Sequence, residues 1–184
     1  MLGESLVRKL DLPLRRRIEP LSANPQFGAE ELLHPFRYNT DSDSSRRLIG
    51  YYSNCCGTAA YVLGLSDAIG NFRRETQRGV YMAIPCAERP GYIGPPIMTG
   101  FVKESGILKP VSRYPKPGDL IIFQRRGEGR IIHSGIYLGA HRGHDLFFCQ
   151  YDHADCFGFS SIDGFIEEEK AGGPIEFSLH ELAS

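Results

Sequence analysis

The sequence lacks several features that would assign it to a large functional class. Its 21 Lys and Arg nearly balance 22 Asp and Glu, for a formal net charge of -1, so no charge excess indicates nucleic acid or an anionic membrane as a partner. No apolar run is long enough to span a bilayer, and the charged N-terminal stretch is unlike a signal peptide. We therefore expect a soluble protein, either cytoplasmic or exported without a cleavable signal peptide.

The five cysteines form neither a disulfide framework nor a zinc-binding pattern. They are odd in number, and their spacings match no zinc ribbon or knuckle. Hydrophobic residues make up 41% of the chain, which is enough for a core that needs no disulfide cross-links. We therefore expect mostly reduced thiols in a reducing compartment, where one of them could be reactive.

The chain is expected to form one domain preceded by an N-terminal segment. Residues 3–10 have apolar side chains at helical spacing, but a proline and a basic run follow and interrupt this pattern. Because the next stretch is polar and contains several prolines, residues 1–47 are predicted to be an arm and loops packed on the domain. The domain itself is predicted at residues 48–184, with an insertion at about 70–110 that includes a short helix ended by Gly106.

One helix and several strands are indicated within the domain. The helix is predicted to begin at the sequence "CCGTAAYVL", with Asn54 as its N-cap and Gly64 near its far end. Three β-rich runs follow, "LIIF", "IIHSGIYLGA" and "DLFFCQYDH", separated by polar turns that contain glycine. The segment "PIEFSLHEL" could add a C-terminal strand.

Cys55 and Cys56 stand at the predicted start of the helix. A thiol there lies at the positive end of the helix dipole, close to unpaired backbone N–H groups, which lowers the thiol pKa and favours the nucleophilic thiolate. The same N–H groups could stabilise negative charge on a carbonyl oxygen under attack. The structural alternative is that two small, buried cysteines fill a tight helix start.

His133 supplies a second group for the same chemistry. Strand alternation places it on one face with glycines, which remove side-chain bulk and let a backbone or a substrate approach closely. A lone histidine in a strand is usually structural. Here, however, a thiol lies upstream at a helix start, which favours a thiolate–imidazolium pair. Cysteine hydrolases use such a pair for attack and for protonation of the leaving amine.

Three motifs in order resemble those of one family. "NCCGTAAYV" resembles the nucleophile helix of NlpC/P60-type cysteine peptidases, which usually begins Asp-Cys-Ser-Gly, and "KPGDLIIF" and "HSGIYLG" resemble the family's next two motifs. The resemblance implies an α+β, papain-like fold in which the nucleophile helix packs on a small antiparallel sheet carrying the histidine. Residue by residue, Cys55 falls on the nucleophile and Cys56 on the family's small serine, so Cys56 is the fallback nucleophile.

The sequence departs from the family in three places. Asn54 stands where Asp is common, the family's Tyr-x-x-Gly-Gly stretch is missing, and the interval between Cys55 and His133 is wider than usual. Most of the excess falls in the predicted insertion, which would flank the cleft and alter substrate preference.

The resemblance also implies a third polar residue, on the next strand, that orients the histidine. Gln150 is the first polar side chain in "LFFCQYDH" and is the predicted third residue, with Cys149, Asp152 and His153 as alternatives. A buried Gln in a strand can equally satisfy backbone groups and have no part in catalysis.

Other polar residues are interpreted structurally. Asp119 is expected to cap a turn, and His141 and His144 are expected to be exposed in a hairpin. Tyr51 and Tyr52 are expected to pack at the core or at the cleft rim.

The sequence thus predicts a cysteine peptidase or amidase that forms a thioester acyl-enzyme on Cys55, with His133 as the general base. No metal or organic cofactor is expected, and the resemblance implies a peptide or amide substrate such as a peptidoglycan stem peptide. Three alternatives remain: an acyltransferase or thioesterase of the same superfamily, for which "YIGPPIMTGFV" could form an apolar entry surface, a non-catalytic binding module, and a redox role for the vicinal thiols.

Overall fold

A computed structural model of the chain describes residues 6–23, 37–39, 48–50, 53–76, 83–84, 90–112, 114–150 and 157–183. Within these residues the α-helices are α1 Leu12–Ala23, α2 Cys55–Leu63, α3 Ser66–Thr76, α4 Pro95–Glu104 and α5 Ile162–Glu169. The strands are β1 Arg37–Asn39, β2 Leu48–Gly50, β3 Ala83–Ile84, β4 Tyr92–Ile93, β5 Leu108–Pro110, β6 Leu120–Arg125, β7 Ile131–His141, β8 His144–Gln150, β9 Phe157–Ser161 and β10 Ile175–Leu182.

Six strands form one antiparallel sheet in the order β5-β10-β6-β7-β8-β9. The predicted strands in "LIIF", "IIHSGIYLGA" and "PIEFSLHEL" are confirmed, as is the described part of the strand in "DLFFCQYDH". Two short two-stranded sheets, β1-β2 and β3-β4, lie outside it. The fold class is therefore α+β with a small antiparallel sheet, as expected.

The sheet is covered on both faces, and each face has its own apolar cluster. We call the first the α2 face, where Ile122, Ile136 and Phe148 pack in one core with the apolar residues of α2. We call the second the α5 face, where Phe123 and Phe147 pack with the apolar residues of α5. Because strand side chains alternate between faces, neighbouring residues of one strand enter different environments.

The N-terminal segment contains a helix that the sequence interpretation missed. The expected interruption is present, because helical residues 6–7 are followed by a non-helical stretch at 8–11, but a second helix, α1, then runs through Pro13 and the basic run. Pro13 lies in the first turn, where a missing N–H removes no helical hydrogen bond. Ile18 and Leu21, only 0% and 2% exposed, join the core that contains α2. Pro20 lies inside the helix, where proline is disfavoured, and the burial of this apolar stripe outweighs that cost.

The insertion is folded into the same core. The predicted helix is confirmed as α4, which ends at Glu104 just before Gly106, a residue with a φ of 71°. Tyr92 and Val102 of this region are partly exposed, whereas four of its apolar side chains, those of Ile93, Ile97, Met98 and Phe101, are fully buried. These residues therefore support the domain from within and do not form an apolar entry surface.

Among the described residues, no helix has the length and apolar character needed to cross a membrane.

Candidate active site

Helix α2 begins at the two cysteines, as predicted. Asn54 is the N-cap, because its Oδ1 accepts a hydrogen bond of 2.9 Å from the backbone N–H of Gly57. The helix ends at Gly64, whose left-handed φ of 73° is readily adopted by glycine. Both termini of the helix are therefore set by local sequence.

Asn54 also ties the helix start to the insertion. The Nδ2 of Asn54 donates to the carbonyl oxygen of Ile93 at 2.8 Å, and the N–H of Ile93 donates to the Oδ1 of Asn54 at 3.1 Å. One turn along, a Cβ on Gly57 would collide with the backbone carbonyl of Gly91. The glycine therefore permits the close contact between α2 and the strand that the Asn54 side chain holds.

The two adjacent thiols have different surroundings. Cys55 is partly exposed, whereas Cys56 is 0% exposed and packs in the core on the α2 face. Both are free cysteines. Successive side chains on a helix point about 100° apart, so one thiol can be fully buried while its neighbour stays partly exposed. This arrangement favours Cys55 over Cys56 as the accessible nucleophile.

The environment of Cys55 stabilises its thiolate. A hydrogen bond from the Cys56 side chain lowers the pKa of Cys55 most, and burial opposes this effect. Hydrogen bonding and charge from His133, together with the backbone N–H of Ser134, lower the pKa further, and the net pKa lies well below the usual value. Cys55 and His133 therefore lie close enough to interact.

The neighbouring thiols are shifted in the opposite direction. The pKa of Cys56 is raised, first by its hydrogen bond to Cys55 and then by burial. The pKa of Cys149, 1% exposed, is raised by burial and by the negative charge of Cys55. Of the cysteines that the structure describes, Cys55 alone has a lowered pKa.

His133 lies on the α5 face of the sheet in aromatic surroundings. It is 5% exposed, and its ring centroid lies 4.7 Å from that of Phe165, with the two planes 24° apart. Phe147 and Phe123 lie at 6.0 and 6.2 Å. The Nε2 atom is buried and has no hydrogen-bond partner among the described residues, so Nδ1 is the nitrogen left to face the thiol.

The predicted strand alternation holds through Tyr137, which shares the cluster on the α5 face. It ends at an irregularity between Tyr137 and Gly139, where Gly139 has a φ of 96°. A Cβ on Gly135 would lie 2.5 Å from the carbonyl oxygen of Phe148. Gly135 thus lets the backbone of β8 approach closely. The close approach that was predicted at the strand glycines is confirmed at this position, where the approaching group is a backbone.

Gln150 is buried, but its hydrogen bonds lead to α2 and not to the imidazole. Its Oε1 accepts from the hydroxyls of Ser53 at 2.8 Å and Thr58 at 2.7 Å, and its Nε2 donates to the carbonyl oxygen of Ser53 at 3.0 Å. The reason is strand alternation, which turns Gln150 toward the α2 face while His133 lies on the other. The predicted orienting role thus finds no contact among the described residues.

The other candidates for a third residue were Cys149, Asp152 and His153. Cys149 lies on the α5 face close to Cys55, and its raised pKa makes it a neutral neighbour. Asp152 and His153 lie outside the described residues, as do Tyr51 and Tyr52.

The structural assignments of the other polar residues can now be compared with the fold. The expected turn at Asp119 is confirmed, because its carboxylate accepts a 2.7 Å hydrogen bond from the N–H of Lys116. His144 is exposed as expected, whereas His141 is only partly exposed.

Helix α5 and its Phe165 were missed by the sequence interpretation. A local signal was present: Ser161 caps the helix by accepting from the N–H of Gly164 at 3.0 Å. Ile162, Phe165 and Ile166 follow at helical spacing. That signal predicts a helix, but nothing in it places the helix over His133.

The described residues contain no group of three or more His, Cys, Asp or Glu arranged to hold a metal ion. No model of a known protein family matches the chain, and a search of curated proteins found no significant match.

Proposed function

We propose that the chain is a cysteine-dependent amide hydrolase of the papain-like, NlpC/P60 type, with Cys55 as nucleophile and His133 as the proton-transferring residue. One observation carries the proposal: a partly exposed thiol in the first turn of α2 is paired with a histidine and has a lowered pKa. A thiol held only for packing would be expected to show the raised pKa of Cys56 and Cys149.

The first half of the reaction follows from this pair. The Cys55 thiolate attacks the amide carbonyl carbon, the C–N bond breaks, and the His133 imidazolium donates its proton to the leaving amine. Asn54 accepts the N–H groups of Gly57 and Thr58, which leaves those of Cys55 and Cys56 without a partner among the described residues. These two N–H groups are available to the developing oxyanion.

In the second half, His133 accepts a proton from water, which attacks the thioester carbonyl. The C–S bond then breaks, the carboxylic product leaves, and the thiolate–imidazolium pair is restored. The substrate class, a peptide or amide such as a peptidoglycan stem peptide, rests on the motif resemblance.

The alternative functions receive less support from the site. An acyltransferase or thioesterase would benefit from the apolar entry surface expected in the insertion, but Ile93, Ile97, Met98 and Phe101 are buried. A binding module that only retains the fold gives no reason for the lowered pKa of Cys55. A redox role is disfavoured because vicinal cysteines close only a strained disulfide ring.

The proposal is tested by the pH dependence of iodoacetamide alkylation, located at Cys55 by peptide mass. Because the thiolate is the reacting form, the rate should reach half its maximum well below the usual thiol pKa. The variant His133→Ala should move this midpoint upward, whereas Cys149→Ala should leave it low.

Amide hydrolysis is measured separately on muropeptides. Wild type should release new amino groups and Cys55→Ala should not. Equal release by both, or a midpoint for wild-type Cys55 at the value of a model thiol, would contradict the proposal.

A further inference from the structure

The imidazole of His133 is buried without the polar contact that usually orients a catalytic histidine. Its Nε2 has no hydrogen-bond partner among the described residues, and Gln150, the residue predicted to orient it, is bonded to Ser53 and Thr58. A ring that rotates freely would present Nδ1 to Cys55 only part of the time, at a cost in rate. Among the described residues, the groups left to fix its orientation are apolar.

Aromatic rings surround the imidazole instead. Phe165 stacks on it with centroids 4.7 Å apart and planes 24° apart, and Phe147 meets it edge-on at 6.0 Å and 70°. The stacked ring is itself fixed, because Phe165 contacts Phe123 at 4.5 Å and Phe147 at 5.9 Å. Such aromatic pairs prefer defined geometries, so the cluster restricts rotation of the imidazole.

We propose that Phe165 is a positioning residue for His133, whose stacked ring holds the imidazole toward Cys55 in place of a polar side chain. This inference rests on the proposed function, since it assigns a role within the same thiol–imidazole pair. Phe165 lies on α5, and His133 lies on β7, well before it in the chain. The two rings therefore meet only through tertiary packing.

The stack also suits the charge that the mechanism requires. A cation over an aromatic face is attracted by the negative charge of the π system, so the stacked Phe165 ring suits the positive charge that His133 carries in the proposed mechanism. Among the described residues, the titratable groups close to the pair are the thiols of Cys56 and Cys149 and the phenol of Tyr137, which shares the α5-face cluster. The strands and the helix that enclose the ring on the α5 face present Phe123, Phe147 and Phe165.

The test compares two phenylalanines of equal burial. Phe165 and Phe157 are each 7% exposed, and Phe157 stacks on Phe148 in the other cluster, with no ring contact to His133. The variants are Phe165→Leu, Phe157→Leu, Phe165→Tyr, and Phe165 replaced by pentafluorophenylalanine, which keeps the ring shape and reverses its quadrupole. The readouts are the alkylation rate of Cys55 across pH and the NMR signals of the histidine ring nitrogens.

Phe165→Leu should slow alkylation at pH 6 to 7 by about three- to tenfold, the factor that one aromatic pair is worth, and raise the midpoint. Phe157→Leu should leave both unchanged, and Phe165→Tyr should behave like wild type. The pentafluoro variant should raise the alkylation midpoint of Cys55 and change the NMR signals of the His133 ring nitrogens. It serves as the deciding variant if Phe165→Leu does not fold, because its shape is nearly that of the native ring.

Equal effects of Phe165→Leu and Phe157→Leu, or a pentafluoro variant with an unchanged midpoint, would overturn the inference. These outcomes are separable from failure of the proposed function. If wild-type Cys55 has an ordinary midpoint, both fail together. If the Phe165 pattern holds but no muropeptide is hydrolysed, only the proposed substrate fails.

Discussion

Two identical residues next to each other in the chain have opposite properties in the fold. Cys56 packs in the core and has a raised pKa, while the partly exposed Cys55 has a lowered one. The two shifts are linked, because the hydrogen bond from Cys56 is the largest contribution that lowers the pKa of Cys55. Cys56 is thus a positioning residue for the thiolate as well as part of the core.

We predict that Cys56→Ala raises the pKa of Cys55, because the thiolate loses its strongest hydrogen-bond donor. The alkylation midpoint should therefore move to higher pH, and the rate below that midpoint should fall. Cys56→Ser keeps a donor at the same position, so it should shift the midpoint less than Cys56→Ala. Identical midpoints for wild type and Cys56→Ala would show that the second thiol only packs.

Helix α2 and strand β8 are joined by one buried amide. Gln150 makes three hydrogen bonds to Ser53 and Thr58, residues that lie almost a hundred positions earlier in the chain. These bonds fix the start of the helix against the sheet, where Cys55 must meet the strand that carries His133. The residue predicted to orient the histidine instead holds the helix that begins at Cys55.

We predict that Gln150→Leu lowers the free energy of unfolding by about 3 kcal/mol, because two buried hydroxyls and one carbonyl lose their partner. The matched control is Gln124→Leu, since Gln124 makes a single exposed hydrogen bond, to the carbonyl oxygen of Gly129 at 2.8 Å. Its cost should stay below about 1 kcal/mol. Urea unfolding measures both, and equal costs would contradict the proposed link between helix and sheet.

The N-terminal helix completes the core of the whole molecule. Ile18 and Leu21 of α1 pack in the cluster that contains α2, and Arg17 donates to the carbonyl oxygen of Val62 at 3.1 Å. The guanidinium of Arg17 also lies over the ring of Tyr61, 5.9 Å from its centroid. Residues that were predicted to form an arm packed on the domain therefore contribute directly to the support of α2.

We predict that Ile18→Ala lowers the free energy of unfolding by about 2 to 4 kcal/mol, the usual cost of a cavity in a packed core. Leu12→Ala in the same helix should cost less than about 0.5 kcal/mol, because Leu12 is 46% exposed. Chemical denaturation of the full chain measures both values. A cost for Ile18→Ala no larger than that for Leu12→Ala would mean that α1 adds little to the core.

Local features of this protein were determined by the sequence alone. The start of α2 follows from Asn54 and its end from Gly64, and the hairpin strands follow from apolar runs separated by polar turns. The pairing of Cys55 with His133 was also predicted, because a helix-start thiol and a strand histidine suit one chemistry and stand in a recognisable order. The helix ends and the strands depend on short-range geometry, which a few neighbouring residues set, whereas the pairing of Cys55 with His133 joins distant segments and was predicted from the order of the motifs.

Only the tertiary structure decided the roles of Gln150 and Phe165. From the sequence, Gln150 was the first polar side chain on the strand that follows the one carrying His133. In the fold, strand alternation turns it toward α2. Phe165 lies on a helix that local signals could have revealed, yet its position over the imidazole comes from packing between two distant segments. The physical reason is that side-chain contacts depend on which face of a strand or helix meets which neighbour, and that is settled only when the whole core packs.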